Sequence, residues 1–384
     1  VLLGSGPAVS AESQDTLRVA TFNSSLNDNA GRLIERLAGG DDPAARSAAA
    51  ILQRVRPDLV LINEFDHDAE GRAATLFVSA YLGVSQAGDP PIAYPHRYLA
   101  PVNTGEPSGL DLNGDGKVEG PNDAWGFGRH PGQFGMLLLS RHPIDAESAR
   151  SFRLLRWNTL PGALRPRHPD GRPFHPDPVW QQLRLSSKSH WDVPVRTPLG
   201  LIHVLASHPT PPVFDGPEDL NGRRNHDELR LWKHYLDGGS PAWLCDDQGR
   251  CGGLPAEARF VLLGDLNADP LDGDTLPGAV QQLTRHPRVL DYPAPRSAGG
   301  AAAAHLDRGP PKKTDPATHT AQFERGTGHM RVDYVLPSVE FEVVGSGVFW
   351  PRADELEAAW LRHSDHRLVW VDLRPAEQSP DHAN

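Results

Sequence analysis

Short apolar runs recur along this chain, and each is bounded by an Asn, Asp, Glu or His, a pattern that constrains both the fold and the place of any chemistry. LRVATFNSS (17–25) runs into Asn23, DLVLINE into Glu64, LGLIHVLASH into His208, and ARFVLLGDLN into Asp265 and Asn267. Asp333 lies in RVDYVL, Asp365 and His366 precede the last run, RLVWVDL, and GQFGMLLLSRHPI supplies one more strand. Between the first two runs, Ala45, Ala48, Ala49, Leu52 and Val55 fall near helical spacing and Pro57 stops the helix, which predicts a strand, helix, strand unit. Leu229, Trp232, Lys233 and Leu236 predict a second, amphipathic helix over 225–236 with its apolar side on a sheet.

Strands continue along the whole length with helices interspersed, and neither an internal repeat nor a composition break marks a linker. The simplest organisation is one domain over 15–375, preceded by a tail at 1–14 and followed by a disordered tail at 376–384. A chain of 384 residues with 38% hydrophobic content can fill one large core, and neither disorder nor a membrane protein is the natural reading. Stretches 85–131, 156–180 and 291–328 are rich in Gly, Pro and Asp and read as surface excursions. In VLLGSGPAVSAESQ, Val9 and Ala11 stand where a signal cleavage site requires small residues, so 1–14 reads as the end of a secretory signal, against a plain disordered tail. Cys245 and Cys251 are close enough for a local disulfide, whereas a metal site would need further ligands. The expected setting is extracellular or periplasmic, with no transmembrane segment and a monomeric state.

A carboxylate at the buried end of an apolar strand is costly unless it is paired or bound to a cation. For any one of these acids a helix cap or an Arg partner is the simpler account, but their joint recurrence at strand ends favours a shared cation. Oxygen ligands from Asn23, Glu64 and Asp365 suit Mg2+, or Mn2+ or Ca2+ in its place. Asp265 and Asn267 alternate along an extended segment and so face one site together.

Taken in order, NSS, NEFD, ASHP, GDLNADP, RVDYVL and SDHR resemble the motif series of the endonuclease/exonuclease/phosphatase superfamily over residues 17–373. The resemblance implies an α+β, four-layered sandwich, two central and mostly antiparallel β-sheets flanked by helices, with the active site at one end. It implies metal-site roles for Asn23 and Glu64, with Asp365 binding metal or orienting the neighbouring His. It implies that His366 is a general base or phosphate contact, that Asp265 and Asn267 orient the attacking water, and that Asp333 holds a catalytic histidine. His208 matches a histidine that faces the phosphate. The first strand ends in FNSS where many relatives carry WN, which leaves the Asn intact.

DLNGDGKVE (111–119) departs from the series. Asp111, Asn113 and Asp115 with Gly116 reproduce the start of a calcium loop, which Glu119 and Asp123 would complete. The twelfth position is Asn122 and no flanking helix pair is visible, so a structural Ca2+ is weighed against an Asx-rich turn. Lys188, His190 and Asp192 in SSKSHWD, Arg223, Arg224 and His226 in NGRRNHD, and Asn103 and Gln133 elsewhere either bind phosphate or serve the surface. His190, Asn103 and Arg224 are the candidate substrate contacts, although a place at a helix start accounts better for Arg224.

The function expected is hydrolysis of a phosphomonoester or phosphodiester by an activated water, with no nucleophilic Ser or Cys motif. The formal charge of −11 works against sequence-independent binding to a phosphate backbone, so a small phosphoester is a more natural partner than duplex DNA. An extracellular nuclease of the same fold is the alternative within this chemistry. Outside it stands a noncatalytic, calcium-stabilised binding module, which would have no reason to keep water-orienting and general-base residues together.

Overall fold

Alternation of side chains along the strands sets the layering of the molecule. The computed structural model describes residues 16–324 and 326–377; the expected signal remnant, and all but the first two residues of the expected C-terminal tail, lie outside them. The strands are β1 (Leu17–Asn23), β2 (Leu59–Asn63), β3 (His96–Tyr98), β4 (Met136–Ser140), β5 (Arg150–Ser151), β6 (His190–Thr197) and β7 (Gly200–Ser207). They continue with β8 (Phe260–Asp265), β9 (Ala321–Gln322), β10 (His329–Met330), β11 (Asp333–Pro337), β12 (Phe341–Val348) and β13 (Val369–Pro375). One sheet has the order β12-β13-β1-β2-β4-β3 and the other β11-β8-β7-β6-β5, while β9 and β10 form a separate ribbon. Most pairings are antiparallel; the exceptions are β1 with β2 and β7 with β8, one parallel pair in each sheet.

Val19, Leu61, Leu138 and Val371 on the first sheet meet Trp191, Val193, Val204 and Leu263 on the second in the central seam. Their neighbours point outward. Ala20, Val60, Ile62 and Leu137 pack against Ala45, Ala49 and Leu52 of the helix Pro43–Val55, and Leu205, Phe260 and Leu262 pack against Leu229, Trp232 and Leu236 of the helix Leu220–Asp237. Burial on both faces explains why these strands read as nearly continuous apolar runs. The four-layered sandwich implied by the motif series is the architecture observed.

The first helix begins where Asp42 accepts the Ala45 N–H at 2.9 Å with Pro43 following, and ends with Arg56 in the left-handed region. The second starts earlier than its apolar spacing indicates, because its first turns bury Arg224, Asn225, Asp227 and Glu228. Polar residues that serve buried hydrogen bonds leave no hydrophobic period to read. β12 was likewise hidden: Gly345 and Gly347 lie beneath the Trp370 ring, which breaks the alternation.

The long excursions are only partly superficial. Asn103, Thr104, Ala124 and Trp125 of the first are buried, as are Trp157 of the second and Ala317, Thr318, His319 and Thr320 of the third. Cys245 and Cys251 form a disulfide. Among the described residues, no helix is long and apolar enough to cross a membrane.

Leu263 lies wholly inside the seam between the sheets. Leu263→Ala should lower the unfolding free energy by about 2–5 kcal/mol, as core truncations do. Urea denaturation checks this, and a loss below about 1 kcal/mol would show that the seam collapses around the missing methyls.

Candidate active site

Five strand ends and two loop turns deliver polar side chains to one end of the sandwich. Asn23 closes β1, Asn63 closes β2 and is followed by Glu64, Asp265 closes β8, and His208 follows β7. Asp333 opens β11 directly opposite Asp265 in the ladder. Gly264 makes this approach possible: a Cβ there would stand 2.0 Å from the Ser207 carbonyl oxygen. Glu64 and Asn267 both adopt positive φ, 57° and 52°, so the backbone turns sharply as each leaves its strand.

The centre of the arrangement is one atom, Asp265 Oδ2. Asn23 Nδ2 donates to it at 3.1 Å, His208 Nε2 lies 3.4 Å away and His366 Nε2 3.6 Å away. The other oxygen of Asp265 accepts the Asn267 N–H at 2.9 Å. Asn23 Nδ2 also reaches Glu64 Oε1 at 3.2 Å, and Asn27 Nδ2 donates to Glu64 Oε2 at 3.0 Å. His366 Nδ1 meets Asp333 Oδ2 at 2.9 Å, and the same oxygen accepts the Thr320 hydroxyl at 2.8 Å. Asp365 is the exposed member, its Oδ1 being 3.8 Å from His366 Nε2. Arg367 donates to the carbonyls of Ser364 and His366, both at 2.9 Å, and stacks over Trp350, which fixes the turn carrying the two residues.

Burial and charge then separate the two histidines. Burial works against the charged form of His366, but Asp333 and Asp265 outweigh it and hold the imidazole well above its ordinary value. His208 is buried too, and with Lys188 and His366 nearby it is held well below that value. The two rings are thus shifted in opposite directions. Burial pushes the Asp265 carboxyl up to about 7 against the opposing pull of His366. Burial also raises Glu64, with His366 and the Asn23 hydrogen bond opposing it.

The sequence profile of the endonuclease/exonuclease/phosphatase family matches residues 20–366. The chain belongs to that family. Among solved structures, an endonuclease/exonuclease/phosphatase from Beutenbergia cavernae is 20% identical, with 94% of this chain and 72% of that one covered at a TM-score of 0.52. Sphingomyelinase C from Streptomyces griseocarneus is 16% identical over 93% of this chain and 99% of that one, with a TM-score of 0.44. At these identities the likeness is one of fold. No relative among curated proteins matches the sequence. Members of the endonuclease/exonuclease/phosphatase family are phosphoester hydrolases, and its enzymes typically use divalent metals.

The donor set suits such a family metal. The carboxylates of Glu64, Asp265, Asp333 and Asp365 outnumber the cationic groups that act on them, among the described residues His366, Lys188 and Arg367, an excess of negative charge that a divalent cation would balance. Glu64 takes hydrogen bonds from neutral amides alone and Asp333 Oδ1 is buried without a partner. Among the described residues, Asp265, Asp333 and His366 are the group whose ligand atoms lie within 4.8 Å of one another. Because His366 Nδ1 is occupied by Asp333, this trio handles protons more naturally than it ligates a metal, whereas Glu64, with Asp365 at the rim, offers oxygens; Asn23 turns Nδ2 to the acids and its Oδ1 accepts the Ser25 N–H at 3.2 Å.

Three candidate substrate contacts are placed elsewhere by their hydrogen bonds. His190 is fully buried between the Ser186 hydroxyl at 2.6 Å and the Glu228 carbonyl at 3.0 Å, and packs on Trp232. Asn103 donates to the carbonyls of Arg153 and Ser186, both at 2.7 Å, and accepts from Arg184 at 2.6 Å. Arg224 spends its guanidinium on the carbonyls of Leu185, Trp125, Arg184 and Ser186. All three tie the protein's own backbone together, a use of polar groups that single-sequence patterns cannot distinguish from ligand binding.

The Asp111 loop is likewise closed by itself. Asp111 accepts the N–H groups of Gly114 and Gly116 at 2.7 and 2.9 Å, Asn113 that of Asp115 at 3.0 Å, and Asp115 that of Lys117 at 2.8 Å. Asp123 accepts from Leu112 and Glu119 at 2.8 and 2.9 Å, while the Glu119 carboxylate takes no such bond among the described residues. The Asx-rich turn accounts for this geometry.

Asn63 and Thr320 belong to the site region but were not among the predicted site residues, and Lys188 was read only as a phosphate or surface group. Asn63 Oδ1 accepts the Asp265 N–H at 3.2 Å, and its Nδ2 reaches the Ser207 carbonyl at 3.4 Å. An Asn ending the apolar run LVLIN was a readable signal. Thr320, in a loop, carried none.

His366 is held above the ordinary imidazole value by Asp333, so their pairing stabilises the fold fully below about pH 6.5 and less as pH rises through the folded-state value. In metal-free protein, Asp333→Asn should therefore lower Tm more at about pH 6 than at about pH 9. A cost that is equal at both pH values would mean that His366 is not held as an imidazolium.

Proposed function

We propose that this chain is a divalent-metal-dependent hydrolase acting outside the cytoplasm on phosphomonoesters or phosphodiesters of small molecules. The convergence of Asn23, His208 and His366 on Asp265 Oδ2 carries the reading. An oxygen so placed, on a carboxyl raised to about 7, accepts the proton of a water attacking phosphorus near neutral pH. Asn267 fixes the carboxylate from behind through its backbone N–H.

The two histidines complement this base. His366, charged and oriented by Asp333, presents Nε2–H to a phosphoryl oxygen as negative charge builds there. His208 stays neutral and offers Nε2 from the other strand pair. Glu64, Asn23 and Asp365 would hold a divalent ion, which would supply Lewis-acid compensation of the phosphoryl charge. Direct attack by water needs no covalent phosphoenzyme. The net charge of −11 supports small substrates over a nucleic-acid backbone, and the Cys245–Cys251 disulfide supports an oxidising compartment.

Hydrolysis of p-nitrophenyl phosphate, bis-p-nitrophenyl phosphate and plasmid DNA, each with and without EDTA, tests the reading. Turnover of at least one small ester should disappear with chelator and return with Mg2+ or Mn2+, and Asp265→Asn and His366→Ala should each lower kcat by about 10²-fold or more. Rapid plasmid cleavage without turnover of either small ester would reject the small-substrate form. A His366→Ala protein as active as wild type would remove the mechanism.

A further inference from the structure

Lys188 is a buried cation that the network described above leaves without a contact. It is 6% exposed, and among the described residues its ammonium enters no hydrogen bond or ion pair. The backbone around it is held firmly on both sides. Glu228 accepts the Ser187 N–H at 2.7 Å and the Thr210 N–H at 2.6 Å, which clamps the segment entering β6 against the one leaving β7. The Lys188 carbonyl accepts the Asn103 N–H at 3.0 Å. His190 pairs with Ser207 across the β6/β7 ladder, and Lys188, two residues before it, acts on His208, which follows Ser207.

The obvious internal partner is already engaged. Both Glu228 oxygens serve Ser187 and Thr210, including the Ser187 hydroxyl at 3.2 Å. The remaining charges that act on Lys188 include Glu64 and Asp265, and Lys188 in turn acts on His208. Burial lowers its ammonium from the usual value while these acids oppose the change. An ammonium has three hydrogens to donate, and on a side chain only 6% exposed, among the described residues no protein group accepts them. A site that binds an anion beside His208 supplies the missing acceptors.

We propose that Lys188 is a phosphate-contacting residue of the active site, donating from Nζ to a non-bridging oxygen of the substrate phosphate on the His208 side of the cleft. The assignment rests on the phosphoester reading and extends it. Lys188 provides positive charge beside His208 and within reach of Glu64 and Asp265. It is SSKSH's lysine, and not its histidine, that meets the substrate.

Calorimetric titration of inorganic phosphate into the Mg2+-loaded protein tests this without requiring turnover. Lys188→Met should weaken phosphate binding by about tenfold or more, the usual weight of a charge-assisted hydrogen bond, while Lys188→Arg restores most of it. Equal phosphate affinity in wild type and Lys188→Met, or a lowered Tm with affinity unchanged, would overturn the proposal and leave the lysine as a counter-charge for Glu228. Absence of phosphate binding by wild type would overturn it as well. Should Lys188→Met fail to fold, acetylation of wild type followed by peptide mass spectrometry gives the same answer: excess phosphate should protect Lys188, and unchanged labelling counts against the contact. Failure of the hydrolysis panel removes the enzymatic reading while this titration still reports on Lys188, so the two failures are distinguishable.

Discussion

Two asparagine side chains join the sheets of this protein at the point where its carboxylates are buried. Asn63, at the end of β2, accepts the Asp265 N–H and reaches the Ser207 carbonyl, while Asn23, at the end of β1, donates to Asp265 Oδ2. Elsewhere the seam between the sheets is held by apolar contact, which is strong but has little directional preference. Neutral amides give it direction. Each can donate and accept at once, so from one sheet they satisfy the backbone of two strand ends and a carboxylate of the other without adding charge. The catalytic geometry inferred above depends on this link, because Asp265 is fixed by the opposite sheet as well as by its own.

The strands and their polar ends were legible because burial on both faces leaves an unmistakable apolar run, and an Asn or Asp at the end of such a run stands out. Asn23, Glu64, His208, Asp265, Asn267, Asp333 and His366 were all found this way, and the fold gathers them at one end. What stayed hidden was the second purpose of polar residues, holding backbone. Arg224, Asn103 and His190 looked like ligand-binding groups yet their donors and acceptors are used within the chain. Glu228 was unreadable for the converse reason: its neighbours in sequence say nothing about the two segments it clamps. Thr320 positions Asp333 from a loop whose course only the tertiary fold defines.

Length also misled the reading of loops. A Gly- and Pro-rich stretch suits the surface when no internal partner exists, but 102–104 and 124–126 are held against Lys188 and Ser187 by close backbone approach. Gly126 illustrates the tightness, since a Cβ there would stand 1.9 Å from the Ser187 carbonyl oxygen. Such segments act as walls of the cleft. Their composition reflects the need for close passage as much as a need for solvent.

The two parallel pairs have a further consequence. In one sheet the order β13-β1-β2-β4 runs antiparallel, parallel, antiparallel, and in the other β6-β7-β8-β11 repeats the same sense. Each parallel pair is bridged by its own outer helix, so the chain contains two similar halves with separate local cores. Asn23 and Glu64 come from one half, His208 and Asp265 from the other. Neither half holds the whole constellation, so the cluster exists only where the two sheets meet.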